Sequence, residues 1–234
     1  MLIEDCAQSW LTTQDGVPSG ALADIAIFSL YKSLPIPDGA ALITAAGRHT
    51  PELRRSVGLL STAKRHIAWL MGRYRTVDDL MDRFTHRGSA LDVGLDTSVS
   101  LTTGFLLPRI AALEVIEARR TNYLALLSSI HEHVPRPFRT LPDGAVPLVF
   151  PLESSQGAVL AQLLQAEGVE ARTYWQRPHP LLDIPRFEGA ARWRQRLVAV
   201  PVHQELKPGD VQRLARAVQQ TLQPSLGRRT RSHE

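Results

Sequence analysis

Cysteine and lysine are both scarce in this 234-residue sequence. The one cysteine, Cys6, excludes an internal disulfide framework and a cysteine-rich zinc site, and agrees with a reducing compartment. Lysine stands only at positions 32, 64 and 207 among 27 basic residues, the rest being arginine. A lysine is therefore less easily read as casual surface decoration. Long apolar runs are missing too, none approaching the ~18 residues of a membrane span. The opening MLIEDCAQ lacks the basic start and apolar stretch of a signal peptide, so a cytoplasmic chain with no membrane partner is expected. There is no internal repeat, no P-loop and no zinc-ligand spacing.

What is present suits a globular protein of one large or two modest domains, since 44% of the residues are hydrophobic. The net charge of +4 comes from basic residues scattered among 23 acids and clustered only in the last stretch, GRRTRSHE. That pattern fits a frayed basic tail better than a nucleic-acid surface, and no nucleic-acid partner is expected.

Leu2 and Ile3, followed at once by Glu4 and Asp5, read as the carboxyl end of a buried strand, expected to begin before residue 1. A loop, TTQDGVPSG, leads to a second strand in ADIAIFSL. After the PIPDG turn AALIT is a third, and the three are expected as neighbours in one sheet. From Pro51 to about Phe84 the pattern is helical, with Thr50 as N-cap. Within it HIAWLMGRYR reads as a core helix, because Lys64, Arg65, Arg73 and Arg75 do not share one polar face. HRGSALDVGLDTSVSLTTG lacks periodicity and is expected to be irregular. From about Pro108 a long helix connects two lobes, with Ile110, Leu113, Ile116, Tyr123, Leu124, Leu127 and Ile130 at three- and four-residue steps. A strand in AVPLVFPL, a helix ending at Gly168, strands in VEARTYW and RLVAVPV and a helix in KPGDVQRLARAVQQTL then make a small α/β lobe.

Asp5 and Gln8 follow the first strand, and Ser29 and Lys32 follow the second. If these strands are adjacent and parallel, all four residues meet at the carboxyl edge of the sheet, where open α/β folds place ligands. A lysine with its stem in an apolar pocket loses solvation of its charged form, and the neutral amine can attack an aldehyde. Pyridoxal phosphate needs such an amine, an acid for its pyridine nitrogen, and hydroxyl or amide donors for its phosphate and phenolic oxygen. One residue of each kind is present. Spacing alone leaves open a lysine that merely snorkels from a strand end. His179 and Trp175, in YWQRPHPLL, are weaker candidates for a substrate entrance, and His203 is expected to pack beside the final strand.

LIEDCAQSW, the glycine-bearing loop and ADIAIFSLYKSLPIPDGAALIT resemble the cofactor segment of the DegT/DnrJ/StrS family. These are pyridoxal-phosphate enzymes of the aspartate-aminotransferase fold, best known as sugar aminotransferases. EARRTNYLALL and LVAVPVHQELKPGDVQRLARAV resemble the family's long helix and closing strand and helix. The resemblance makes Lys32 the catalytic Schiff-base lysine, Asp5 the partner of the pyridine nitrogen, Gln8 the neighbour of the phenolic oxygen and Ser29 a phosphate ligand. It implies an α/β fold of PLP fold type I. Residues 1–105 would be the C-terminal part of the cofactor-binding large domain, 106–132 a connecting helix, 133–224 a small α/β domain and 225–234 a disordered tail.

The reaction implied is amino transfer from an amino acid such as glutamate to a keto sugar, nucleotide-linked, by a homodimer. Ala40 departs from the second glycine of the family's turn, Cys6 replaces a common alanine, and TTGFLLPRIAAL lacks the asparagine that reaches a partner's cofactor site. The family's large N-terminal portion before the EDxAQ strand is not found, so the chain is expected to be the C-terminal part of such an enzyme. A non-catalytic remnant of the same fold and a pyridoxal-phosphate sugar dehydratase are the alternatives. The lysine favours transamination, since some dehydratases of the family carry histidine there.

Overall fold

In the computed structural model, which describes residues 1–45, 98–174 and 183–222, three short, mainly apolar segments pair as one sheet. These are β1 (Ile3–Asp5), β4 (Ile25–Ser29) and β5 (Ala40–Thr44), in the order β1-β4-β5. β1 runs parallel to β4, with Asp5 opposite Ile27, and β4 runs antiparallel to β5, with Ile27 opposite Leu42. The three strands are the expected neighbours. The loop between the first two holds an unexpected hairpin of β2 (Thr13–Gln14) and β3 (Val17–Pro18). Its turn residues Asp15 and Gly16 both have positive φ, 51° and 80°, the backbone that an Asp-Gly pair supplies most readily.

The chain divides into two units, Met1–Glu117 with Pro142–Leu148, and Ala118–Leu141 with Val149–Glu234. In the first unit, Ala26 and Phe28 project from one face of β4 into a core with Cys6, Leu30, Leu34, Ile36 and Val115. Trp10 packs edge-on to Phe28, ring centres 5.2 Å apart. Gly20 is required beside this core: its φ is +83°, and a Cβ there would lie 2.6 Å from that of Ala26. Residues 142–148 return to this unit. Thr13 N donates to Gly144 O at 2.9 Å, and Val146 N to Thr12 Oγ1 at 3.2 Å.

The end of the stretch expected to be irregular is a short helix, α1 (Leu101–Leu106). Ser100 Oγ caps it by accepting from Thr103 N. Asp38, in the turn before β5, accepts from Ser100 N, Ser100 Oγ and Thr103 Oγ1 at 3.2, 3.0 and 2.7 Å. A carboxylate held on a first helical turn offsets donors that the helix leaves open. Pro108 lies in a 3-10 turn, Leu107–Arg109, which extended Ile110 ends. The long helix α2 therefore begins later than expected, at Ala112–Ile130. The unit boundary, between Glu117 and Ala118, falls inside it.

The buried stripe of α2 is Val115, Arg119, Asn122, Tyr123, Leu126 and Ile130. Leu113 is 73% exposed and Leu124 is exposed as well, so two residues of the apolar repeat lie off the buried stripe. The helix carries apolar residues on more than one face, and their spacing cannot rank the faces.

The second unit is built on the antiparallel pair β6 (Val149–Glu153) and β7 (Leu197–Pro201). Phe150, Leu152, Val198 and Val200 join Tyr123, Leu126 and Ile130 in its core. Leu160 and Leu164 of α3 (Gly157–Ala166), and Val211, Leu214 and Val218 of a later helix, complete it. Gly168, at φ +78°, ends the turn after α3, and Val169 N donates to Leu164 O at 2.9 Å. The strand expected in VEARTYW reduces, in its described part, to one bridge between Arg172 and Ala199. Gln165 Nε2 donates to Ala171 O at 2.7 Å, so a side chain occupies an acceptor that a ladder would use. Two helices complete the described order, α4 (Glu188–Arg196), which was not foreseen, and α5 (Pro208–Leu222). The helix expected over 51–84, the candidates Trp175 and His179, and the 225–234 tail lie outside the described residues. No helix among the described residues is long and apolar enough to cross a membrane.

Candidate functional site

Asp5 ends β1 and Ser29 ends β4, and the parallel pairing puts both at the carboxyl edge of adjacent strands. The register also puts them on one face, because Asp5 lies opposite Ile27 and Ser29 is the next residue of β4 on that side. Pairing runs one residue past β1, Cys6 N donating to Ile27 O at 2.8 Å. The chain then turns. Asp5 Oδ1 accepts from Ala7 N at 3.0 Å, which fixes the carboxylate while leaving it exposed. Gln8 sits in that turn, also exposed.

Lys32 ends a single 3-10 turn, Leu30–Lys32, that follows β4 directly. Leu30 N donates to Gly39 O at 3.0 Å, and Ser33 N and Leu34 N both donate to Leu30 O. The turn is thus pinned at its start and end. Leu30, Ser33 and Leu34 are buried around Lys32, which is itself half-buried. Gly39, with φ +130°, sits in the return to β5 in a backbone that side-chain-bearing residues rarely adopt.

The geometry therefore brings Asp5 and Ser29 to one edge and one face, with Gln8 and Lys32 on the turns that leave the same two strand ends. A carboxylate, an amide, a hydroxyl and a primary amine are the donor set that pyridoxal phosphate requires, and the residues present fit it. Beside them, burial and a hydrogen bond to Glu4 push the Cys6 thiol up, so it favours the inert thiol form.

A second polar cluster, in the second unit, was missed in the sequence. Arg119, buried on α2, donates through Nε to Gln204 Oε1 at 2.9 Å. Burial lowers its guanidinium to about 10, against the opposing effect of Glu205. Asn122 Nδ2 donates to His203 O at 3.0 Å. The charged EARR run masked this pair, and the only available signal was its place four and seven residues after Val115, in phase with the buried stripe. His203 follows β7, with its Nδ1 buried and without a hydrogen-bond partner. Burial chiefly lowers its imidazole. Glu205 opposes that shift, Arg119 adds to it, and Glu170 and Asp210 oppose it more weakly. Among the described residues no group of histidine, cysteine and acids is arranged to hold a metal.

A model of the DegT/DnrJ/EryC1/StrS aminotransferase family matches residues 1–219. No curated protein sequence matches closely enough to count as a relative. Solved structures with similar folds include a DegT/DnrJ/EryC1/StrS aminotransferase from Brucella abortus, 19% identical with a TM-score of 0.60, covering 93% of this chain and 56% of its own. Another is Helicobacter pylori PseC, an aminotransferase involved in the biosynthesis of pseudoaminic acid. It is 17% identical at a TM-score of 0.60, covering 94% and 58%. A third is S. venezuelae DesV in complex with a ketimine intermediate, 19% identical at 0.58, covering 93% and 57%. The likeness is one of fold, the expected α/β fold of these aminotransferases. The chain spans somewhat more than half the length of each neighbour.

Proposed function

Because the chain belongs to the DegT/DnrJ/EryC1/StrS aminotransferase family, we propose that it carries the cofactor lysine and its partners in a pyridoxal-phosphate-dependent sugar aminotransferase. The observation that carries the reading is Lys32 on the turn leaving β4, next to the edge formed by Asp5 and Ser29. In this reading residues 1–105 belong to the cofactor-binding domain and 133–224 to the small one. The amino donor is an amino acid such as glutamate and the acceptor a keto sugar, nucleotide-linked. A cytoplasmic homodimer completes the proposal. Activity is proposed for the complete fold, since the neighbours are nearly twice as long.

Pyridoxal phosphate, when bound, supplies an aldehyde for amines and a ring that withdraws electrons from the substrate carbon. The chain's own residues do the rest. The Lys32 amine would hold the cofactor at rest and, once released, would move a proton between the substrate carbon and the cofactor carbon. The Asp5 carboxylate, held by Ala7 N, would keep a proton on the pyridine nitrogen by charge. Ser29 Oγ would donate to the phosphate and the Gln8 amide to the phenolic oxygen.

Borohydride reduction in the presence of pyridoxal phosphate, followed by peptide mapping, tests the assignment. The expected result is a phosphopyridoxyl group on the peptide containing Lys32, absent from Lys32→Ala. Equal labelling of wild type and Lys32→Ala would refute it.

A further inference from the structure

Between Lys32 and Asp38 the chain reads SLPIP. Proline at 35 and 37 fixes φ at both positions and restricts the residues before them, Leu34 and Ile36. Those two are buried in the first unit's core, so the segment has little freedom to absorb a movement at either end. At its far end the Asp38 carboxylate accepts from Ser100 N, Ser100 Oγ and Thr103 Oγ1, and the Asp38 carbonyl also accepts from Thr103 Oγ1, at 3.0 Å. The next residue, Gly39, takes the Leu30 amide on its own carbonyl, and a Cβ on it would lie 3.4 Å from Thr103 Cγ2. The loop that carries Lys32 is therefore closed on itself between Leu30 and Gly39. It is fastened at Asp38 to residues 62 and 65 positions further along the chain. Ser100 Oγ already caps α1. A capping role does not account for the bond from Thr103 to the Asp38 carbonyl, which holds the loop rather than the helix.

We propose that Asp38 is a positioning residue for Lys32: by fastening the far end of the loop to α1, it holds Gly39 O where Leu30 N meets it, and so sets where the Lys32 amine stands. Its bearing on the reaction rests on the reading of Lys32 as the cofactor lysine. Asp38 touches neither cofactor nor substrate in that reading. It acts through Gly39, Leu30 and the stiff segment between them. An amine on a loosened loop would spend part of its time away from the edge formed by Asp5 and Ser29, and an amine out of place meets an aldehyde less often. What the loop needs at Asp38 is an acceptor oxygen, so Asp38→Asn keeps the function and Asp38→Ala loses it.

The scarcity of lysine makes the test simple, because the only side-chain amines are those of Lys32, Lys64 and Lys207. The full chain is acetylated with trace acetic anhydride and peptide-mapped, with the exposed Lys207 as internal reference. Asp38→Ala is expected to raise acetylation of the half-buried Lys32 relative to Lys207 about threefold or more, and to speed hydrogen exchange of the Leu30 amide by a similar factor. Asp38→Asn is expected to stay near wild type. So is wild type in urea at a concentration that matches the stability of Asp38→Ala. An unchanged ratio in Asp38→Ala, or an equal rise in Asp38→Asn or in the urea control, overturns the proposal. If Asp38→Ala does not fold, Thr103→Val, which removes the hydroxyl and keeps the shape, is read by the same criteria. Borohydride trapping with pyridoxal phosphate runs beside it, and trapping at Lys32 is expected to fall in Asp38→Ala and recover in Asp38→Asn. Undiminished trapping in Asp38→Ala also counts against the proposal. Wild type that traps nothing at Lys32 refutes the cofactor reading, while the acetylation ratio still decides whether Asp38 places the amine.

Discussion

His203 and its neighbours make stability depend on pH. Burial lowers the imidazole below its ordinary value of 6.5, so the folded chain binds this proton less readily than the unfolded one. The folded state therefore has its full advantage above pH 6.5 and loses it as pH falls toward and through the lowered value. Arg119 adds to the effect and Glu205, Glu170 and Asp210 oppose it. Replacing the ring with an apolar side chain, His203→Leu, is expected to flatten the fall in urea midpoint between about pH 7 and 5. An unchanged slope would assign that fall to other groups. The sequence marked His203 as a packing residue, but a lone histidine after a strand does not say whether its nitrogens are satisfied. Lys32 was easier to notice, because lysine is rare here and the local pattern of strand, turn and glycine is short-range chemistry.

At the scale of elements, the face of α2 separates what sequence periodicity reveals from what it hides. Leu126 is wholly buried, whereas Leu113 is not. Leu126→Ala is expected to cost about 2–5 kcal/mol by leaving a cavity, and Leu113→Ala to stay within about 0.5 kcal/mol. Chemical denaturation of both variants checks the contrast. Similarly, Asp38→Ala strips α1 of its carboxylate and leaves the buried Thr103 hydroxyl with one partner fewer. A loss of about 1–3 kcal/mol is expected, read as a lower melting temperature.

Strands β1, β4, β5, β6 and β7 and helices α3 and α5 were legible because pattern, turn residues and glycine stops agreed there. The β2-β3 hairpin escaped because its strands are two residues long, although Asp15-Gly16 carried its turn signal. α1 escaped because Thr102, Thr103 and Gly104 are poor helix formers, and its cap comes partly from Asp38, far away in sequence. Adjacency of β1 and β4, on which the candidate site depends, was a condition in the sequence and is an observation in the structure.

For the whole molecule, two separate cores with no shared residue predict unfolding in more than one step. Phe150, wholly buried in the second core and 4.9 Å from the ring of Tyr123, is the lever. Phe150→Ala is expected to lower one calorimetric transition by about 3–5 kcal/mol and leave the other in place. A single peak that shifts as a whole would show one cooperative body instead.

The path of the chain has a consequence for recombination between relatives. The first unit takes residues up to Glu117, gives way to Ala118–Leu141, and takes the chain back for Pro142–Leu148. That return is tightly fitted, since any Cβ on Gly144 would collide with Thr13. One crossover therefore cannot exchange either unit intact. A chimera made at α2 alone would bring a foreign 142–148 segment against Thr12 and Thr13. A faithful exchange needs three junctions, after Glu117, after Leu141 and after Leu148, so these two units are inherited together more readily than apart.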